Sequence, residues 1–79
     1  MNMSLDKALI NEEVIVKEIE DISIKRRFLD LGLSKNTIVV PVLDSICGNI
    51  RAYKIRNSLF GIRNSDAKSV LVLRKNEWN

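Results

Sequence analysis

Histidine is absent from the 79 residues, and cysteine and proline occur once each, as Cys47 and Pro41. Histidine is the commonest general base and transition-metal ligand, so its absence removes much of enzyme chemistry and most metal-centre designs. A single cysteine cannot close an internal disulfide, whereas secreted domains of this size usually carry several. A cytoplasmic setting is therefore expected. Long apolar runs are also lacking: the best uncharged stretch, Asn36 to Leu43, falls far short of the roughly 20 residues of a membrane span. Asp6 interrupts any signal-peptide start. The three glycines, Gly32, Gly48 and Gly61, stand apart, so there is no phosphate-cradling loop, which excludes a kinase or GTPase.

What is present has globular proportions, 46% apolar and 29% charged, and suits one domain over residues 1–79. Thirteen basic and ten acidic side chains give a net charge of +3. The surplus sits late in the chain: residues 1–40 hold six basic and seven acidic side chains, residues 41–79 seven and three.

The run Val14 to Ile19 is β-branched with partial alternation, which predicts a strand. Before it, Ser4 is placed as the cap of a short helix over Leu5 to Leu9, ended by Asn11. After it, Ser23 is expected to cap a helix from Ile24 to Leu31, with Ile24, Phe28 and Leu31 as its apolar stripe and Gly32 as its stop. Asn36 suits a turn that needs positive φ. Four more strands follow: Thr37 to Leu43, Ile50 to Arg56, Leu59 to Arg63 and Val70 to Arg74. Pro41 cannot donate to a ladder and so marks an edge or a bulge. Ser65 to Lys68 reads as one capped helical turn, and Gly61 as a point of close backbone approach. Five short strands with one or two short helices describe a small all-β barrel.

Candidate chemistry is sparse. Cys47 near Asp44, or the acidic run Glu18, Glu20 and Asp21, are the only metal-ligand candidates; the plainer readings are a small buried thiol beside a turn and a solvated strand end. Cys47 has no histidine to activate it as a nucleophile, so no catalytic residue is assigned. Arg51, Tyr53, Lys54, Arg56 and Arg63 interleave cations with an aromatic, as in nucleic-acid-binding barrels, or else form a solvated basic face. Lys25, Arg26 and Arg27 form either a solvated helix face or a docking surface for an acidic partner. Trp78 reads as an exposed tail residue.

The stretch Lys25-Arg26-Arg27-Phe28-Leu29-Asp30-Leu31-Gly32-Leu33 resembles the "RRRLLDLGL" signature of the FeoA family, small proteins of bacterial ferrous iron uptake. The likeness continues through Thr37 to Val42, Gly48 of a "PLGDP"-type turn, Leu59 to Ala67 against "LxLRxxEA", and a last strand at Val70 to Val72, and so spans Leu5 to Val72. It departs at Asn11 for Gly, at Lys35-Asn36 for Pro-Gly, and at Ser45 to Ile50, which lacks both prolines of the turn and has Asn49 for its aspartate. The resemblance implies an SH3-like five-stranded barrel without catalysis; no cofactor is expected, and the missing histidine and single cysteine lead to no expected metal site. It implies an accessory role beside FeoB, the membrane iron transporter with a cytoplasmic GTPase domain, through which the chain would associate with the inner face of the membrane. Lys25, Arg26, Arg27, Cys47 and Gly48 become candidate partner-binding residues, and Gly32 and Asn36 structural turn residues. Neither membrane insertion nor nucleic-acid binding is expected. The alternatives are a basic nucleic-acid-binding barrel and a free-standing regulatory domain, since the same barrel resembles the C-terminal domain of DtxR-type repressors, for whose DNA-binding domain 79 residues leave no room.

Overall fold

Branched side chains from Val14 to Ile19 crowd their own χ1 in a helix but fit a pleated surface, and this run forms a strand over that span in the computed structural model, which describes residues 2–77. In chain order the strands are β1 (Met3–Ser4), β2 (Val14–Ile19), β3 (Ile38–Asp44), β4 (Ile50–Ile55), β5 (Ser58–Arg63) and β6 (Val70–Arg74). Helix α1 (Ile22–Asp30) follows β2, and α2 (Asn64–Ala67) follows β5. All six strands join one sheet in the order β1-β6-β2-β3-β4-β5, with every neighbouring pair antiparallel. Hydrogen bonding does not join β1 to β5; instead α2 packs on β5 and on the 3-10 turn Leu5–Lys7 that follows β1, and so connects the two ends. The expected five strands thus gain a sixth, β1, whose two residues pair with Leu71 and Val72.

Alternation places Val14 and Val16 of β2, Val39 and Pro41 of β3, Tyr53 and Ile55 of β4, and Val70 and Val72 of β6 inside, and the register shift between Val16 and Glu18 returns Ile19 to the same face. Phe28 from α1 and Leu33 just after it close this core. Phe28 is 2% exposed, and its loss to alanine would cost about 3–5 kcal/mol by removing contacts and leaving a cavity. Ile24 and Leu31 pack at its margin, as the stripe requires. Pro41 lies in a central strand, at a register shift between Pro41 and Leu43, so it marks a bulge rather than an edge.

Three caps differ from expectation. The first helix is only a 3-10 turn over Leu5–Lys7, and Ser4 makes no side-chain cap bond. Asn11 then takes φ 66° and donates its N–H to the Pro41 carbonyl at 2.7 Å, which turns the chain into β2. Helix α1 starts two residues early because Asp21, not Ser23, is the cap: its Oδ1 accepts from the Ser23 N–H at 2.9 Å and from the Ser23 hydroxyl at 2.6 Å. These two bonds, chiefly the hydroxyl's, hold the Asp21 carboxyl below the usual aspartate pKa. In α2, Ser65 lies inside the turn, the flanking Arg63 contributes no side-chain cap bond, Ala67 is buried, and the Asn64 N–H donates to the Asn49 carbonyl at 2.9 Å.

The end of α1 is as expected. Gly32 takes φ 97°, its N–H donates to the Leu29 carbonyl at 3.0 Å, and the Leu33 N–H donates to the Phe28 carbonyl at 3.0 Å. These are the two bonds of a Schellman stop, with buried Leu33 and Phe28 as the accompanying apolar pair. Asn36 takes φ 72°. Gly61 serves no close approach: a Cβ there would sit 3.5 Å from Ile50 Cγ2, an ordinary contact. The β4–β5 hairpin turns at Arg56 (φ 51°) and Asn57 (φ 72°), a type I′ turn, so Arg56 belongs to the turn and not to the strand.

Candidate functional site

Lys25, Arg26 and Arg27 lie on the exposed side of α1 because the inward positions go to Ile24, Phe28 and Leu31. Lys25 and Arg26 have no carboxylate partner among the described residues. Arg27 does: its Nη2 donates to Asp66 Oδ2 at 2.7 Å, tying α1 to α2, and its guanidinium carbon stands 5.7 Å from the centroid of the Phe28 ring. Arg27 is therefore a tether between helices, a role that neither the solvated-face nor the docking-surface reading of the three charges foresaw.

Cys47 and Gly48 occupy the β3–β4 connection. Cys47 is exposed, which corrects its reading as a buried thiol: a residue at the tip of a turn has nothing to pack under. The loop holds its shape without the two family prolines. Ser45 N–H donates to the Ile50 carbonyl at 2.9 Å, Gly48 N–H to the Ser45 carbonyl at 3.0 Å, and Asn64 Nδ2 to the Gly48 carbonyl at 2.6 Å. Gly48 takes φ 76° over open space. Among the described residues no group of three or more cysteine or carboxylate side chains is placed to hold a metal ion, and Glu18, Glu20 and Asp21 remain exposed.

The basic strand face breaks up. Tyr53 points inward and is 0% exposed, so it offers no platform for stacking a base. On the same side of β4, Arg51 donates through Nε to Asp44 Oδ1 at 2.6 Å and through Nη1 to the Ala8 carbonyl. Burial pushes the Tyr53 hydroxyl above its ordinary pKa, against the opposing charge of Arg51 beside it. Trp78 lies outside the described residues.

The sequence reading missed a groove of about 500 Å³ on the outer side of the sheet. Its floor is Ile38 and Val40, the outward residues of β3. Lys54 enters from β4, where the register sets it opposite Val40; Arg56 enters from the hairpin turn and Lys35 from the α1–β3 connection. Arg56 Nε reaches the Gly32 carbonyl at 3.3 Å, and Asn36 lines the same groove, so both turn residues shape it. Lys35 also lines a smaller cleft of about 260 Å³ together with Lys17, Glu18 and Lys25.

Residues 3–74 match the family model described as the FeoA domain. No match is found among curated proteins. Among solved structures, a FeoA-like protein from Clostridium acetobutylicum superposes with a TM-score of 0.87 at 24% identity, over 99% of this chain and 92% of that one. FeoA of Stenotrophomonas maltophilia, solved with zinc and put forward as a prokaryotic SH3 domain protein and ferrous iron transport activating factor, gives 0.80 at 26% identity, over 90% and 89%. A manganese-dependent transcriptional repressor gives 0.83 at 15% identity, over 92% of this chain but 41% of the repressor, a likeness of fold alone. The all-β fold is SH3-like, and with one family model covering nearly its whole length the chain belongs to the FeoA family.

Proposed function

We propose that the chain is a non-catalytic accessory of bacterial ferrous iron uptake that acts in the cytoplasm by docking on FeoB and altering its assembly or its GTPase and transport cycle. The observation that carries this reading is the family match over residues 3–74. One feature supports it: the S. maltophilia relative is put forward as a ferrous iron transport activating factor. The docking surface includes Lys25 and Arg26 on α1, with the exposed Cys47-Gly48 loop as the second candidate; Arg27 contributes less because Asp66 already holds it. Rim charges of this kind speed association with an acidic surface and make it salt-dependent. The nucleic-acid alternative is weakened by the inward Tyr53 and by the pairing of Arg51.

The test is affinity capture from native membranes with the tagged full chain. Recovery of FeoB supports the reading. Recovery of nucleic acid in its place, or of neither, contradicts it.

A further inference from the structure

We propose that the groove over Ile38 and Val40 is a docking site for an acidic, extended peptide segment of a protein partner. Lys35, Lys54 and Arg56 stand around it, and none has a carboxylate partner among the described residues. Four cations elsewhere are ion-paired, Arg27 to Asp66, Arg51 to Asp44, Arg74 to Glu12 and Lys75 to Glu13, whereas Lys25 and Arg26 on α1 are, like the groove's three, without a carboxylate partner among the described residues. The one acid at the groove, Glu13, is thus already held by Lys75, with Nζ 2.8 Å from Oε1. Three like charges around one recess repel each other, and among the described residues Arg56 alone of them has a contact at its head, to the Gly32 carbonyl, so the recess favours an incoming negative charge.

The floor decides what carries that charge. Ile38 is 46% exposed and Val40 is partly so, two apolar side chains on the same face of β3. Alternate positions of an extended peptide match that spacing, one apolar side chain on the floor and carboxylates toward the rim. A nucleic-acid strand would call for an exposed aromatic, and no aromatic lines the groove. A flat bilayer would leave a recess of about 500 Å³ unfilled. Because β3 is central in the sheet, its backbone is already paired, so recognition here works through side chains and not by adding a strand.

The inference rests on the reading that the chain works by docking on a protein, but its test needs no transporter. The labelled full chain is titrated, with NMR detection of backbone amides, against a synthetic heptapeptide of alternating glutamate and leucine, against oligouridylate, and against phosphatidylglycerol vesicles. Shifts confined to Lys35, Ile38, Val40, Lys54 and Arg56 on adding peptide are expected, with binding about tenfold weaker at high salt. Lys54→Glu should weaken it by about tenfold or more, and Lys68→Glu, an exposed control at the C-terminal end of α2 that does not line the groove, should not. Arg56→Asn should also weaken it while keeping the melting temperature, because asparagine suits φ 51° better than arginine does, and it serves if Lys54→Glu fails to fold. Silence at the groove, shifts centred elsewhere, or tighter binding of oligouridylate or vesicles at these residues would overturn the proposal. A groove that takes the peptide in a chain that ignores FeoB would sink only the transporter reading; a silent groove in a chain that binds FeoB would sink only this one.

Discussion

Arg56 lies across Gly32. Its Nε donates to the Gly32 carbonyl at 3.3 Å, and a Cβ added to Gly32 would come within 3.0 Å of Arg56 Cδ. One glycine therefore ends α1 and leaves space for a cation that borders the groove. Gly32→Val is expected to destabilise the fold by at least about 1 kcal/mol, because a β-branched residue at φ 97° is strained before it meets Arg56. Denaturant midpoints measure this. An unchanged midpoint would show that the helix stop does not need glycine.

The Arg27–Asp66 pair makes the two arginines of α1 distinguishable. Its side chains are 62% and 23% exposed, so screening keeps its contribution below about 1 kcal/mol. Arg27→Glu should lower the melting temperature slightly, and adding Asp66→Arg should restore it. Arg26→Glu should change stability by less than about 0.5 kcal/mol. Equal losses for Arg26→Glu and Arg27→Glu would show that the tether is not formed in solution.

Tyr53 gives a pH dependence of definite sign. Burial raises its pKa above the ordinary value of about 10, so the folded state favours the protonated phenol. Its contribution is fully present below pH of about 10 and is lost as pH rises through the folded value. Tyr53→Phe should flatten this alkaline loss. At neutral pH the substitution should be neutral or stabilising by up to about 1 kcal/mol, because the buried hydroxyl has no well-formed hydrogen bond. Thermal melts across the alkaline range of both proteins check it.

How much of this was legible in the sequence follows from which interactions are local. Val14–Ile19, the Gly32 stop and the Asn36 turn depend on neighbouring residues, and each appears where the sequence places it. Strand β1 has two residues and no pattern; it exists because β6 offers Leu71 and Val72 as partners. Tyr53 was read outward because both alternating sets of Ile50 to Ile55 mix polar and apolar residues, so only the register on β3 settles which faces in. The groove was invisible for the same reason. Lys35, Lys54 and Arg56 come from three segments, and the pairing of Val40 with Lys54 brings them together.

Ferrous iron should find no site of its own. With no histidine, one exposed cysteine and no ligand cluster among the described residues, anaerobic equilibrium dialysis should detect only weak surface binding. A stoichiometric site tighter than about 1 μM, equivalent to about −8 kcal/mol, would show that the chain carries iron.

The central claim is docking on FeoB, and the most direct measurement is the affinity of the purified full chain for full-length FeoB in nanodiscs. Saturable binding at about 1 μM or tighter in low salt is predicted, weakening as salt screens the contact. Replacing Lys25 and Arg26 by glutamate should weaken it by about tenfold, with the melting temperature retained. Absence of saturable binding up to about 100 μM in low salt, about −5 kcal/mol or weaker, would contradict the account.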